Sequence, residues 1–230
     1  AYEETAVLYR SNAQSRALEE ALLRVSIPYR IYGGLRFYER LEIKNAIAYL
    51  KIIFNNKDNP SFERSISNPT RGVGEKTLGK IRQAAKKFNI SYIKASAKLI
   101  DEGSIGGRGG AGLKDYLEFI IGCKQFIEDN TLSELMELII KESGLYAYHA
   151  KEAGEKGKTR TENLEELITA TKNFEQSIKD EKTNAEIAES YLDVISLDSG
   201  DRQASEHDDA AQLMTMHSAK GLEFKLVLLT

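Results

Sequence analysis

Apolar residues recur along this chain of 230 residues with two different periods. Near its start, Thr5–Tyr9 (TAVLY) is short, apolar and partly β-branched, which predicts a buried strand. Ser11 or Asn12 can cap a helix over Ala13–Val25, where Ala13, Ala17, Ala21, Leu18, Leu22 and Val25 make one stripe. Pro28 precedes a second strand, Tyr29–Tyr32, which Gly33-Gly34 end. Strand, helix, strand is a β-α-β unit, and its strands should be parallel.

From Glu39 onward the helical period stands alone. Ile43, Ala46, Ile47, Leu50, Ile53 and Phe54 form a stripe that stops at Asn55-Asn56. Others run through Leu78, Ile81, Ala85 and Phe88, then Tyr116, Ile120, Cys123 and Ile127, then Leu132, Leu135, Met136, Ile139 and Ile140. Leu164, Leu167, Ile168, Thr171, Phe174 and Ile178 make a fifth, and Ala188, Tyr191, Leu192 and Ile195 a sixth. Ser199–Asp209 is polar and acidic and reads as a linker. Leu213–Met216 and Lys225–Leu229 return to short runs of strand type. The predicted fold class is therefore α/β but mainly helical, with one α/β domain interrupted by a helical insertion of roughly 170 residues. The chain opens almost directly on one strand-like run and closes inside another, as an excised piece of a longer protein would.

Composition narrows the function classes. Hydrophobic residues at 41% and charged residues at 29% describe a globular chain and not a disordered one. A net charge of −3 excludes a surface that is basic everywhere, but the charge is unevenly spread. Between Ser61 and Lys94 eight basic residues face two acidic ones, whereas Arg160–Ala210 holds five basic and fourteen acidic. The lone cysteine, Cys123, excludes an intrachain disulfide and fits a reducing, cytoplasmic setting. No apolar run approaches the roughly 20 residues that span a bilayer, and Ala1–Thr5 lacks a signal-peptide pattern, so no membrane partner is expected.

Four stretches could carry chemistry. Gly154–Thr159 (GEKGKT) ends like a phosphate loop, but position 152 holds Glu where the first glycine is needed, so a surface turn capped at Thr159 is expected. Gly103–Gly112 (GSIGGRGGAG) follows no strand and reads as a flexible connection between helices. In Asn68–Gly79 (NPTRGVGEKTLG), Gly72-Val73-Gly74 makes a tight hairpin opening onto a helix near Glu75, flanked by Arg71 and Lys76, with Lys80 a turn further on. Free N–H groups at such a corner suit a nucleic-acid phosphate, while the bland reading is an ordinary helical corner with solvated lysines. Finally, Arg10-Ser11-Asn12 and His217-Ser218-Ala219-Lys220-Gly221-Leu222-Glu223 each follow a predicted strand. If those strands share one sheet, Arg10, Asn12, His217, Lys220 and Glu223 converge where open parallel sheets bind ligands. Otherwise Asn12 is a helix cap, His217 a loop histidine and Lys220-Gly221 a turn. No metal site is expected, because His149, His207 and His217 share no ligand spacing and no H-E-x-x-H or C-x-x-C occurs.

Five blocks in order carry a resemblance: AVLYRSNAQSRALEEAL, PYRIYGGLRFYERLEIKNAIAYL, NPTRGVGEKTL, GEKGKTRTENLEELITAT and QLMTMHSAKGLEFKLVLL. Over Thr5 to Leu229 the chain resembles the C-terminal half of the UvrD/Rep/PcrA-type superfamily 1 DNA helicases. The resemblance implies an ATP-dependent 3′→5′ helicase or translocase of DNA repair and replication, with two RecA-like domains, 1A and 2A, and helical insertions 1B and 2B. It implies a partial RecA-like parallel-sheet domain in which residues 1–34 and 208–230 belong to 2A, and an all-helical 2B over residues 35–207. It carries single-stranded DNA contact to Arg10, Asn12, His217 and Lys220, with Gly221 and Glu223 beside the nucleotide. Thr70, Arg71, Gly72, Val73, Gly74 and Lys76 fall on a hairpin that contacts duplex, and Gly33–Glu42 spans the 2A/2B junction. Lys225 stands where many members have proline. ATP and Mg2+ are cofactors of the longer parent, with none expected on this piece, which lacks the phosphate loop. Expected partners are single-stranded DNA, duplex junctions and DNA-repair proteins, and a dimer through exposed sheet edges is plausible. The alternative class is a non-catalytic DNA-binding or protein-docking module.

Overall fold

The computed structural model describes residues 1–178, 182–200 and 208–230. Two apolar clusters organise the chain, one around a sheet and one among helices.

The sheet has four strands, β1 (Thr5–Tyr9), β2 (Tyr29–Ile31), β3 (Ala211–Thr215) and β4 (Leu226–Leu229), in the order β2-β3-β1-β4. Every neighbouring pair is parallel. β3 therefore slots between the two strands of the N-terminal unit, nearly two hundred residues later in the chain, with Val7 opposite Leu213 and Ile31 opposite Leu213 on the other side. Ala6, Val7 and Tyr9 of β1 and Ala211–Met214 of β3 are buried, as the inner strands of a parallel sheet should be, with the buried Gln212 amide donating to the Ala210 carbonyl. β4 lies at the edge, and Leu226, Val227, Leu228 and Leu229 are all exposed.

Helix α1 (Ser15–Arg24) covers the sheet with Leu18, Leu22 and Leu23, each half-buried. The expected alanine stripe does not form its buried face: Ala17, Ala21 and Val25 are exposed, and Ser15, Arg16 and Glu19 are buried instead. Ser11 is the cap, in a capping box with Gln14 that opens a short 3-10 turn ahead of α1.

The helical block comprises α2 (Leu41–Phe54), α3 (Asn59–Ser67), α4 (Glu75–Phe88), α5 (Tyr92–Asp101), α6 (Gly107–Asp129), α7 (Leu132–Glu142), α8 (Leu145–Ala150), α9 (Glu155–Ser177) and α10 (Asn184–Gly200). α2 is its axis. Besides the predicted stripe, Ala48, Tyr49 and Ile52 are buried, so the helix is enclosed on nearly all sides. Local signals set several ends: Asp58 caps α3, Ser91 caps α5, and a capping box of Thr131 and Glu134 starts α7. Phe88, expected in the α4 stripe, is exposed and lies beneath the ammonium groups of Lys87 and Lys98. Among the described residues no helix is long and apolar enough to cross a membrane. Of the expected linker, Ser199 and Gly200 end α10, and 201–207 lie outside the described residues.

Two glycine-rich stretches depart from expectation. Gly103–Gly112 is not simply a connection, since α6 begins at Gly107. Its glycines let this helix press on the backbone before α4. A Cβ on Gly112 would lie 1.9 Å from the Arg71 carbonyl oxygen, and one on Gly109 would lie 3.2 Å from that of Gly72. Likewise Thr159 is not a cap but sits inside α9, and a Cβ on the buried Gly157 would lie 2.3 Å from the Glu152 carbonyl oxygen.

This packing gives a paired prediction. Gly112→Ala should lower stability by about 2 kcal/mol or more, because backbone must move. Gly122→Ala, in the same helix with nothing within 4 Å, should raise it by about 0.5–1 kcal/mol. Denaturant midpoints of the two variants check both signs.

Candidate nucleic-acid interface

Parallel pairing decides where the chemistry gathers. Tyr9 of β1 stands opposite Thr215 of β3, so the chain leaves both strands at the same edge of the sheet. Arg10 and Asn12 follow one strand, and His217, Lys220, Gly221 and Glu223 follow the other. The Met216 amide donates to the Tyr9 carbonyl at 3.0 Å, tying the two corners together. Arg10, His217, Lys220 and Glu223 are exposed, and Asn12 is half-buried. Since Ser11 supplies the cap, the Asn12 side chain is not needed for it. Gly221 adopts φ 86°, a left-handed conformation that glycine takes without strain and that turns the chain toward β4.

Beneath these corners lies a buried polar network that pattern reading did not single out. The Arg40 guanidinium donates to the Asn12 carbonyl at 2.8 Å, to Ser15 Oγ at 2.6 Å and to Asn163 Oδ1 at 2.9 Å. Its Nη2 also lies 3.9 Å from Glu19, whose carboxylate accepts from Ser15 Oγ at 2.7 Å and from the Phe37 amide at 3.1 Å. Asn163 donates in turn to Glu42 at 2.6 Å, Arg160 bridges Glu42 and Glu152, and Glu152 pairs with His149 Nδ1 at 2.6 Å. On the flank, Arg16 reaches Glu20 and Glu166, each at 2.6 Å, and Ser11 Oγ donates to Glu162. The sheet's loops are thereby joined to α2, α8 and α9 by charge-assisted bonds. Burial pushes the Glu19 carboxyl above its ordinary value, against the pull of its hydrogen bonds and of Arg40, and pushes the Tyr9 phenol up to about 12. Hydrogen bonding from His149, followed by Arg160, holds the Glu152 carboxyl down. The readable signal was polar residues such as Glu42 and Asn45 at buried positions of the apolar α2 run.

The hairpin before α4 lies elsewhere on the helical block. Gly72 has φ 75°, Gly74 is the cap position of α4 without a side-chain cap bond, and Val73 packs half-buried on the core. Thr70 and Lys76 are exposed. Lys80 donates to the Ser104 carbonyl at 2.7 Å. Arg71 departs from the expectation of a phosphate-facing cation. Its guanidinium turns inward and donates to the carbonyls of Ser65, Pro69 and Ser143 at 3.3, 3.0 and 2.7 Å, 5.6 Å from the ring centres of both Tyr49 and Tyr116. It braces the hairpin from behind. Among the described residues no group of three or more His, Cys, Asp or Glu side chains could hold a metal ion.

Comparison with known proteins bears on this arrangement. The pattern of the UvrD-like helicase C-terminal domain matches residues 1–103 and 116–230. DNA helicase II of Escherichia coli (strain K12) is 47% identical over 224 residues, covering 97% of this chain and 31% of that protein. DNA helicase II of Haemophilus influenzae is 45% identical over 225 residues, 98% of this chain and 31% of the relative. The ATP-dependent DNA helicase PcrA of Bacillus subtilis is 36% identical over 226 residues, 97% of this chain and 30% of its own length. The chain thus spans less than a third of the length of these relatives.

Two outcomes follow for the buried network. Arg40→Ala strips the acceptors of Ser15, Asn163 and Asn12 of their buried cation and should cost about 3–5 kcal/mol. Lys114→Ala, which breaks an exposed pair with Glu118, should leave the urea midpoint within error. The second outcome concerns pH. Because the folded state raises the Glu19 pKa above the ordinary 4.5, folded protein holds that proton more tightly than unfolded chain. Stability from this group therefore falls as pH rises from the ordinary carboxyl value toward the raised folded one, and Glu19→Gln should gain on wild type over that rise. Unfolding curves across that range test the sign.

Proposed function

The chain belongs to the UvrD-like helicase C-terminal domain family, and from that premise we propose that it is part of an ATP-dependent 3′→5′ DNA helicase or translocase of repair and replication. Residues 1–34 and 208–230 are assigned to the RecA-like domain 2A and 35–207 to the helical insertion 2B. The separation of the two apolar clusters, with Phe37 and Tyr38 already in the helical one, supports that division. The observation that carries the reading is the pairing of Tyr9 with Thr215, which sets the Arg10 corner beside the His217 turn at the carboxyl ends of adjacent parallel strands.

In this reading Arg10, Asn12, His217 and Lys220 hold single-stranded DNA. Exposed cations meet backbone phosphates, and the Asn12 amide and the His217 ring offer hydrogen bonds without demanding one base. The hairpin of 2B contacts duplex at a junction through the amides around Gly72, Val73 and Gly74 and through Thr70 and Lys76. Arg71 shapes that hairpin from within.

ATP and Mg2+ belong to the longer protein. The residues present do not fit them alone: the GEKGKT stretch is helical, with Gly157 closed against the Glu152 and His149 carbonyls, and no acidic metal cluster occurs among the described residues. Gly221 and Glu223 are proposed to border the nucleotide, and no hydrolytic step is assigned to this chain. Among the described residues no strand pairs with the outer edge of β4, which suits a further strand, from the longer protein or from a second copy in a dimer. DNA-repair proteins remain expected partners of the whole.

Fluorescence anisotropy tests the assignment. Arg10→Ala with His217→Ala should weaken oligo(dT) binding about tenfold or more while leaving blunt-duplex binding near its wild-type value. Lys76→Ala should do the reverse and lower the duplex salt slope by about 0.9, the share of one phosphate. Unchanged oligo(dT) affinity in the double variant would remove the strand corners from the contact set. The chain by itself should show no DNA-stimulated ATP hydrolysis, and turnover by the pure chain would contradict its assignment as a partial helicase.

A further inference from the structure

A cleft of about 360 Å3 opens between the carboxyl ends of the strands and the first turns of α9. Asn12 follows β1, Tyr32 follows β2 and Ser218 follows β3, while Lys156, Thr159 and Arg160 come from α9. The cleft thus unites the place where open parallel sheets take ligands with the GEKGKT stretch, which is no phosphate loop.

Its groups differ in how far they are committed. Arg160 is held between Glu42 and Glu152, and Glu42, the carboxylate lining the cleft, also accepts from Asn163, so it is already answered. Ser218 Oγ is engaged with Thr215 Oγ1 at 2.9 Å. Lys156 is exposed, with its nearest carboxylate oxygen, on Glu152, at 3.6 Å. The Asn12 amide makes no side-chain hydrogen bond among the described residues. Tyr32 is 46% exposed, although its backbone is anchored by a 2.9 Å bond from its amide to the Leu213 carbonyl. A ring presented to solvent on a fixed backbone, beside an amide and an exposed ammonium in a loose surface ion pair, is a combination that can hold an unpaired nucleotide. Stacking needs only a π-face, and the cation takes the phosphate. The volume, at the small end of ligand sites, suits one base with its sugar.

We propose that this cleft is a subsite for one nucleotide of single-stranded DNA, with the base stacked on Tyr32, polar edges met by Asn12 and Thr159, and the phosphate paired with Lys156. The strand then runs from the sheet corners onto α9, so both parts of the chain grip the same strand. The proposal rests on the single-stranded DNA reading above and adds Tyr32, Thr159 and Lys156 to it.

The test uses the complete gene product and oligo(dT) carrying single 5-iododeoxyuridine substitutions. Tyr32→Ala should weaken oligo(dT) binding about 5- to 20-fold and Tyr32→Phe should restore it, since the ring and not the hydroxyl stacks. Lys156→Ala should reduce the slope of log affinity against log salt by about 0.7, the share of one single-strand phosphate. Photo-crosslinking should map one iodouracil position to Tyr32. Wild-type affinity in Tyr32→Ala and Lys156→Ala, with crosslinks absent from Tyr32 but Arg10→Ala still weakening binding, would overturn the subsite and leave the underlying reading intact. Failure of the wild-type protein to bind oligo(dT) would overturn both.

Discussion

Burying the Arg40 guanidinium beneath the strand ends obliges every acceptor around it to be in place, because an unpaired buried cation costs several kcal/mol. Those acceptors come from distant parts of the chain: the Asn12 carbonyl after β1, Ser15 at the start of α1, and Asn163 in the middle of α9. Glu19 lies 3.9 Å away as a counter-charge, and Glu42 is linked to the arginine through Asn163. The arrangement ties the sheet to the helical block more by direction than by area. Apolar contacts are tolerant of small slips, whereas charge-assisted hydrogen bonds are not. The Asn12 loop, which forms one wall of the cleft at the strand ends, is thus positioned by an arginine at the entrance to α2.

The same logic of exclusion shapes the hairpin before α4. Its outer face is left with amides, Thr70 and Lys76, because its inner face is fully engaged. Arg71 fills the space behind it, against two tyrosine rings and three carbonyls. The glycines of α6 press from the side, with no room for a Cβ at Gly112. A corner supported on two sides can present backbone N–H groups to a ligand without rearranging, which lowers the cost of binding. Basic residues near a hairpin are therefore not equivalent: Lys76 faces water, and Arg71 is an internal brace.

Much of the fold was legible because hydrophobic spacing reports directly on burial. The runs Thr5–Tyr9 and Leu132–Ile140 occupy a strand and a helix as their periods require, and the apolar Leu213-Met214 pair marks the buried part of β3. Spacing failed where burial is polar. In α1 the alanines face solvent, and Ser15, Arg16 and Glu19 go inward, because their partners lie on α9 and on the segment before α2. It failed again for glycine. A run such as GSIGGRGGAG reads as loose chain when the only information is the absence of side chains. In the folded molecule that same absence permits close helix-to-backbone contact.

What the residue order determined alone was the alternation of strand-bearing ends with a helical middle, the position of most helices, and the two polar corners that follow strands. These depend on local periodicity and on short-range capping, which need no knowledge of partners. What only the tertiary structure decided was which polar groups meet. The insertion of β3 between β1 and β2 brings Arg10 beside His217, the buried network turns Arg40 into a link between distant segments, and the cleft joins Tyr32 to Lys156. Each of these juxtapositions spans more than a hundred residues of chain, apart from Arg40 with Asn12, Ser15 and Glu19, and hydrogen-bond and charge complementarity at such separations leaves no periodic trace in sequence.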